Sequence, residues 1–392
     1  MNADVDLIFY DTTSLHFEID DEDEASLHGN KLAGEREYPP LRRRGHSKNG
    51  RTDAPQIVVG LAVTREGLPV RSWIWPGQTN DVTTIEKVKT DLRGWRLGRC
   101  VFVGDAGMNS QENRRTLALG GGKYILASKM RAGDEVTNEV LPRAGRYQQV
   151  ADNLRVKEVT IGDGERRQRY VVCFNPVEAE RQKNHRKKVP RPCWANELKT
   201  LRKPAPGKPH SKRTCDLLTT ARFAGYLRQT KRGLVKIDMA AVHREAKLDG
   251  KWVITSNDDT LSAEDLALGY KQLMRVEQCW RQIKSGLRMR PVFHWTPHRI
   301  CAHVSLCVLA LLIERIAEIR AGDTWRNIRD KLETIKVVEY QRGEACVRQT
   351  TEVRGAVADL LRRLGVEPPP KLHTVQAAPK PIPAPSHTTD LA

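Results

Sequence analysis

The sequence has few features of a secreted or disulfide-stabilised protein. Its eight cysteines are scattered, and none forms a Cys-x-x-Cys pair. This spacing argues against a zinc knuckle or a disulfide framework and favours reduced thiols that pack as small hydrophobic side chains. The chain opens with Asp4 and Asp6 instead of a basic, apolar leader, so we predict no signal peptide.

Long apolar runs are also scarce. The longest covers residues 301–313, and we expect it to be too short and too polar to span a bilayer. Together with the free cysteines, this predicts a cytoplasmic protein that does not contact a membrane.

Acidic residues are too few to balance the basic ones. The 392 residues include 66 Lys plus Arg against 48 Asp plus Glu, which gives a net charge of +18. Such a balance favours a polyanionic partner, most often nucleic acid, although a merely basic soluble protein stays an alternative. The length fits one large domain or two to three ordinary ones.

Residues 1–133 alternate apolar runs with amphipathic segments. Short apolar strands are predicted on both sides of Asp11 and again before Asp105. A helix is expected after residue 79, capped either by Asp81 or by a Thr83–Glu86 capping box. This order predicts an α/β fold with a sheet of mixed direction.

The predicted secondary structure and the composition change at residue 134. Residues 134–258 read as a β-rich insertion subdomain, with a hairpin around residues 162–164. Within it, residues 177–213 hold twelve Lys or Arg and several prolines, which predicts a basic loop. Solvent exposure and DNA contact are both open readings of this loop.

Residues 259–365 are predicted to be mainly helical. One uninterrupted helix is expected over residues 261–287, capped by Ser262 with Asp265 three residues later. A second, apolar and therefore buried helix is expected over residues 298–322. Residues 366–392 are rich in proline and are predicted to form a disordered tail.

Three carboxylates stand where they could hold a cation. Asp11 and Asp105 each end a predicted strand, and Glu277 lies in the middle of the long predicted helix. Three adjacent carboxylates repel one another unless a divalent cation is present, and oxygen ligands of this kind suit Mg²⁺. The alternative is that the aspartates cap turns or a helix near Ser110.

The helix around Glu277 carries a patterned face. Tyr270, Glu277 and Lys284 are spaced seven residues apart, and Arg281 lies four residues after Glu277. Cations and a phenol beside a carboxylate fit a site that handles phosphate. An exposed stripe of salt bridges explains the same spacing.

Five segments carry a family resemblance that runs from about residue 4 to residue 316. They are YDTTSLHFE, GHSKNGRTDAPQIVVGLAVTREGLPV, PGQTND, VFVGDAGMNSQEN and YKQLMRVEQCWRQIKSGLRMRPVFHW. The sequence resembles the DDE transposases of bacterial insertion sequences, within them the IS4-type superfamily and its IS1634-like group. The resemblance implies an RNase H-like catalytic core interrupted by a β-rich insertion before the last catalytic helix.

The resemblance also implies roles for individual residues. Asp11, Asp105 and Glu277 fall at the catalytic, metal-ligand positions, which in the family bind two Mg²⁺ ions with Mn²⁺ as a substitute. Tyr270, Glu277 and Lys284 match a Tyr-Arg-Glu-Lys signature, whereas the arginine position holds Leu273. The implied DNA-binding residues are Tyr270, Arg275, Arg281 and Lys284.

By the same resemblance, the chain is expected to cut and join double-stranded DNA at insertion-sequence ends and target sites, as a homodimer in a synaptic complex. Only ten residues precede Asp11, where relatives carry a region that helps recognise the ends. We therefore expect an N-terminally truncated transposase with an intact catalytic core. The alternatives are an inactive remnant that only binds DNA non-specifically and a stand-alone RNase H-like nuclease.

Overall fold

The computed structural model describes residues 6–23, 39–46, 50–51, 53–93, 100–131, 135–164, 167–187, 224–229, 235–343 and 345–377. The chain forms two compact units. The first comprises Met1–Arg281 with Arg290–Cys301, and the second comprises Gln282–Met289 with Ala302–Ala392.

A nine-stranded sheet organises the first unit. Its strands are β1 Asp6–His16, β2 Gln56–Val63, β3 Pro69–Pro76, β4 Cys100–Gly104, β5 Lys123–Ala127, β6 Gln148–Ala151, β7 Leu154–Ile161, β8 Gln168–Phe174 and β11 Lys251–Ser256. They are arranged in the order β3-β2-β1-β4-β5-β11-β8-β7-β6. Two short strands, β9 Leu227–Gln229 and β10 Val235–Ile237, pair separately.

The first five strands have the order and directions of an RNase H-like core. Strands β1, β2 and β3 are antiparallel neighbours, while β1, β4 and β5 run parallel. The parallel connections pass through helix α1 (Asp81–Leu92) and helix α2 (Gln111–Ala118). The predicted fold class, an α/β core with a mixed sheet and flanking helices, is confirmed.

Helices α1 and α2 cover one face of this sheet. Side chains that point to that face alternate along β1, as strand geometry requires, and include Ile8 and Tyr10. They pack with Ile85 and Val88 of α1 and Leu117 of α2. This buried cluster fixes where the amino end of α1 meets the sheet.

Strand β1 is longer than the sequence indicated. A single strand runs from Asp6 to His16 and passes through Asp11, where two strands were predicted. Eight consecutive residues of β1, Phe9 to His16, pair with β2. This long-range ladder holds Asp11 inside the strand, which local sequence could not indicate.

Residues 134–258, predicted to be β-rich, contain six strands among the described residues, of which β9 and β10 pair with each other and the other four join the core sheet. Strand β11 pairs antiparallel with both β5 and β8, so β6, β7, β8 and β11 extend the core sheet. Unpaired strand edges are costly, and this pairing covers the edge of β5. Neither predicted boundary, 133/134 or 258/259, separates the two compact units.

The start of the predicted basic loop is a helix. Helix α3 covers Pro176–Lys187, with Asn175 accepting bonds from the first backbone amides. Residues 188–213 of that prediction lie outside the described residues. A further helix, α4, covers Met239–Ala246 and is capped by Asp238.

The long helix predicted over residues 261–287 is broken. Helix α5 covers Ala263–Lys271 and helix α6 covers Met274–Arg281, with a π-helical turn at Gln282–Gly286. The backbone amide of Leu273 donates to the Tyr270 carbonyl, three residues back, which tightens the chain between α5 and α6. The cap is as predicted, because Ser262 Oγ accepts from the Asp265 amide at 3.0 Å.

The second unit contains most of helix α7 (Pro297–Ala321), helices α8 (Trp325–Leu332) and α9 (Gly355–Leu364), and a three-stranded sheet. The strands are β12 Val337–Arg342, β13 Ala345–Thr350 and β14 Leu372–Ala377. Strand β14 lies in the tail predicted to be disordered, so that prediction is wrong for these six residues. Residues 378–392 lie outside the described part of the chain.

Helix α7 was expected to be buried, and its apolar part was expected to be too short and too polar to span a membrane; the structure differs on both points. Its 25 residues make it the one described helix long and apolar enough to cross a membrane, by length and composition alone. Only 28% of its most apolar window is buried, and Leu306, Leu309 and Ile313 are more than half exposed. A soluble helix with one packed face passes the same test, so the cytoplasmic location stays a prediction.

Candidate catalytic carboxylates at the sheet edge

Asp11 and Asp105 stand level on neighbouring strands. The parallel pairing of β1 with β4 matches Phe9 with Val103, and each aspartate lies two residues beyond that pair. Parallel strands in this register carry equivalent positions to the same end of the sheet. The structure therefore places these two predicted residues side by side on neighbouring strands, Asp11 inside β1 and Asp105 directly after β4.

The turn after β4 uses one oxygen of Asp105. Asp105 Oδ1 accepts from the Gly107 amide at 2.9 Å and from the Met108 amide at 3.3 Å. Helix α2 has a different cap, because Ser110 Oγ accepts from the Asn113 amide at 3.1 Å. Asp105 thus shapes the turn that follows the strand and does not cap the helix.

Helix α6 carries Glu277 to the same sheet. The helix packs against β1 and β2 through Val276, Cys279 and Trp280, which are buried. The Cys279 thiol donates to the Gly67 carbonyl at 3.6 Å and ties the helix to the β2–β3 connection. Glu277 lies on the exposed side of α6.

The charges of the three predicted carboxylates act on the buried phenol of Tyr270. Burial raises the pKa of the Tyr270 phenol, and the charges of Asp105, Glu277 and Asp11 raise it further, in that order. The phenol keeps its proton at neutral pH and is available as a hydrogen-bond donor.

The other predicted DNA-binding residues occupy different environments. Leu273 is buried between α5 and α6, so the position where the resemblance predicts an arginine serves packing here. Arg275 and Arg281 are exposed on α6, and Arg275 reaches Gln278 at 3.5 Å. Lys284 is half-buried in the π-helical turn and belongs to the second unit.

Asp81 is an acidic residue at this edge that sequence reasoning treated only as a cap. It is the first residue of α1, and the capping position before it is Asn80, whose side chain makes no capping bond. The Asp81 carboxylate instead accepts a hydrogen bond from the Thr12 hydroxyl, next to Asp11. The sequence signal was an aspartate at the start of a helix that follows a core strand.

Asp81 also faces Asp105. A Cβ atom added to Gly107 would lie 3.2 Å from Asp105 Oδ1 and 3.4 Å from Asp81 Oδ2. The Tyr10 hydroxyl, which donates to Thr84 Oγ1 at 3.0 Å, is buried beneath this edge. Burial raises the pKa of Tyr10, and among the charges Asp81 contributes most, followed by Asp11 and Asp105.

The described side chains do not form a closed metal cage. No group of three His, Cys, Asp or Glu side chains within the described ranges is compact enough to hold a metal ion as it stands. The oxygen donors nevertheless have the chemistry of a site for a hard divalent cation. Adjacent carboxylates repel one another without a counter-ion, so a cation would draw them closer together.

Comparisons with known proteins identify similar proteins. The sequence profile described as the transposase DDE domain matches residues 23–313. Among solved structures, the chain is similar to a piggyBac transposase in a synaptic complex with hairpin DNA, at 11% identity and a TM-score of 0.38. The match covers 82% of this chain and spans about half, 51%, of that one. No curated protein matches.

Proposed function

The chain belongs to the transposase DDE-domain family, and from this premise we propose that it is a polynucleotidyl transferase that cuts DNA at insertion-sequence ends and joins the cut ends to target DNA. The observation that supports the proposal is the position of Asp11 and Asp105 on the neighbouring strands β1 and β4, together with the packing of helix α6, which carries Glu277, on β1 and β2. The IS1634-like subgroup stays a prediction.

Asp11, Asp105 and Glu277 are the proposed ligands of the divalent cations. Asp11 and Asp105 lie at equivalent positions of two neighbouring strands, and Glu277 belongs to a helix that packs on β1 and β2. When bound there, two Mg²⁺ ions, or Mn²⁺ in their place, supply activation of a water molecule and stabilisation of the leaving oxygen.

The reaction is a pair of exchanges at phosphorus. In the first, water attacks the scissile phosphodiester, the bond between phosphorus and the 3′ oxygen breaks, and a 3′-hydroxyl and a 5′-phosphate form. In the second, that 3′-hydroxyl attacks a phosphodiester of target DNA, and the leaving 3′ oxygen of the target takes up the proton. The protons of both exchanges are therefore accounted for without a further reactant.

The chain's remaining residues bind and orient the DNA. Tyr270 stays protonated, so its hydroxyl can donate to a phosphate oxygen near the carboxylates. Arg275, Arg281 and Lys284 supply positive charge on the same helical segment. Phosphate contacts of this kind fix the register of the DNA and carry no sequence information.

The test uses a plasmid that carries the DNA flanking the gene, incubated with the full chain and Mg²⁺. We expect metal-dependent cleavage, and joining of an oligonucleotide with a free 3′-hydroxyl to the plasmid. Asp11→Asn, Asp105→Asn and Glu277→Gln keep side-chain shape but remove the charge that holds the cation. Each should abolish both products while DNA binding stays nearly unchanged.

The outcomes separate the alternatives. Cutting without joining would indicate a stand-alone nuclease, and binding without any metal-dependent product would indicate an inactive remnant. Full cleavage by the Glu277→Gln protein would remove Glu277 from the site. Tyr270→Phe should bind DNA but cut more slowly than the unchanged chain, because the ring remains and the donor is lost.

A further inference from the structure

A groove in the first unit lies beyond the end of strand β1, away from the carboxylates. Its volume is about 740 Å³, within the range of pockets that bind small ligands. Residues 16–19 form one side, residues 290–295 form the other, and Arg42 lies between them. The groove has an apolar floor, because Phe17 and Val292 are buried.

Two aromatic side chains stand exposed on the wall of this groove. Phe293 is 79% exposed and Trp295 is 66% exposed, the two highest values among the large hydrophobic side chains of the loop that follows α6. Exposure of two large aromatic rings within three residues is unfavourable in water. Such rings commonly mark a surface that binds a ligand.

The Trp295 ring is held in place from one side. The Arg42 guanidinium lies 5.7 Å from the centre of the Trp295 ring and 5.9 Å from that of Phe17. Asp23 fixes the guanidinium with two bonds of 2.6 Å and also accepts from the Leu41 and Arg42 amides. A cation–π contact to an anchored arginine makes Trp295 a rigid platform.

The charges around the platform suit a nucleic acid. Asp23 balances Arg42, and Arg51 pairs with Glu18. Arg290, an exposed residue, lines the groove beside Phe293. An aromatic face next to an exposed guanidinium is the combination that binds a base and its phosphate in single-stranded nucleic acid.

From these contacts we propose that the groove binds an unpaired nucleobase of a DNA strand, stacked on Trp295, with Arg290 at the adjoining phosphate. A base inside an intact duplex has both faces covered, so only an unpaired base offers a face to the indole. The wall formed by Phe293 and the apolar floor enclose its edge.

The position of the groove is consistent with the proposed function, on which the choice of DNA over RNA rests. His16 ends the strand that carries Asp11, and five strand residues span about 16 Å. That distance equals about five steps along a DNA strand at 3.4 Å each. A strand engaged at the carboxylates can therefore reach the groove.

The experiment measures binding without any divalent metal, in EDTA and at fixed ionic strength, so that no cleavage occurs. The probes are a fully paired 30-base-pair duplex and the same duplex with one unpaired central nucleotide, both labelled for fluorescence anisotropy. The full chain should bind the second probe more tightly. Trp295→Ala should weaken binding of that probe by about 5- to 150-fold and leave the paired duplex unchanged.

Controls make the result specific. Trp295→Phe keeps an aromatic face and should retain most of the preference, whereas Tyr340→Ala removes an exposed aromatic ring from the second unit and should change nothing. With 2-aminopurine as the unpaired base, binding should quench its fluorescence, and Trp295→Ala should abolish the quenching. Thermal unfolding of each variant verifies that it is folded.

Two results would overturn the proposal. One is equal affinity of the Trp295→Ala protein and the unchanged chain for the unpaired probe. The other is an equal loss for both probes, which would make the groove a general duplex-binding surface. Because binding is measured without metal, cleavage does not enter the readout, so failure of the catalytic proposal would leave this one standing.

Discussion

Asp81 and Asp105 direct carboxylate oxygens at the same point in space, the position that a Cβ atom of residue 107 would occupy. Gly107 is not in the left-handed backbone region, so a larger side chain there would be opposed by the neighbouring carboxylates and not by backbone strain. The turn after β4, the start of α1 and the sheet edge meet there.

Gly107→Ala should reduce cleavage while the protein stays folded. The added methyl group would lie 3.2 Å from Asp105 Oδ1 and 3.4 Å from Asp81 Oδ2, which forces side chains to move by a few tenths of an ångström. Misplaced catalytic groups typically cost roughly 10- to 100-fold in rate. Gly225→Ala, where a Cβ meets no atom within 4 Å, is the matched control. Equal cleavage by both variants would show that the spacing does not matter.

Thr12→Val should weaken both stability and cleavage. The Thr12 side chain is 1% exposed, and its hydroxyl donates to the Asp81 carboxylate. Removing a buried donor to a charged group costs about 1.5–3 kcal/mol. Thr12→Ser keeps the hydroxyl and should recover most of both properties. Chemical denaturation measures the first and plasmid cleavage the second; loss in the serine variant as well would assign the effect to packing of the methyl group.

Mn²⁺ should raise the unfolding temperature of the chain in the absence of DNA. A ligand that binds only the folded state stabilises it in proportion to the logarithm of its concentration. Asp11→Asn and Asp105→Asn should each remove most of this shift. Asp163→Asn changes an exposed carboxylate in the β7–β8 hairpin and should leave it intact. A full shift in the Asp11→Asn protein would contradict the proposed cation site.

Glu314→Gln should stabilise the second unit at neutral pH. Burial raises the pKa of Glu314, with Glu318 adding to the effect while the hydrogen bond from Gln282 and the charge of Arg329 oppose it. A carboxyl whose pKa is raised on folding stabilises the fold below its unfolded pKa, and this stability is lost as pH rises through the folded pKa.

The gain for Glu314→Gln should therefore be absent near pH 4 and present at pH 7. Denaturation at both pH values checks it, with the exposed Glu367→Gln as control. A gain of equal size at pH 4 would mean that the substitution acts through packing and not through the charge.

The local sequence was informative where local forces decide structure. The Ser262 cap is as predicted, because it depends on residues three positions apart. The apolar run before Asp105 is strand β4, whose last four residues are buried. The α/β class followed from the order of such segments. The residue pattern also singled out Asp11, Asp105 and Glu277 as candidate site residues.

Long-range contacts decided the rest. The ladder with β2 carries β1 through Asp11, and the edge of β5 recruits β11, which is distant in sequence. A continuous helix was predicted at Leu273. In the structure its side chain is buried, and the chain makes a tight turn there between α5 and α6. No periodic pattern in the neighbouring sequence predicts any of these contacts.

The sequence alone indicated strand β4, the Ser262 cap and the identity of the acidic residues, because each depends on propensities and hydrogen bonds within a few residues. Only the tertiary structure decided that Asp81 faces Asp105 across Gly107, and that Arg42 supports Trp295 from a position 253 residues earlier in the chain. Such pairs are set by strand register and by the packing of helices on the sheet, which depend on free energies summed over the whole core.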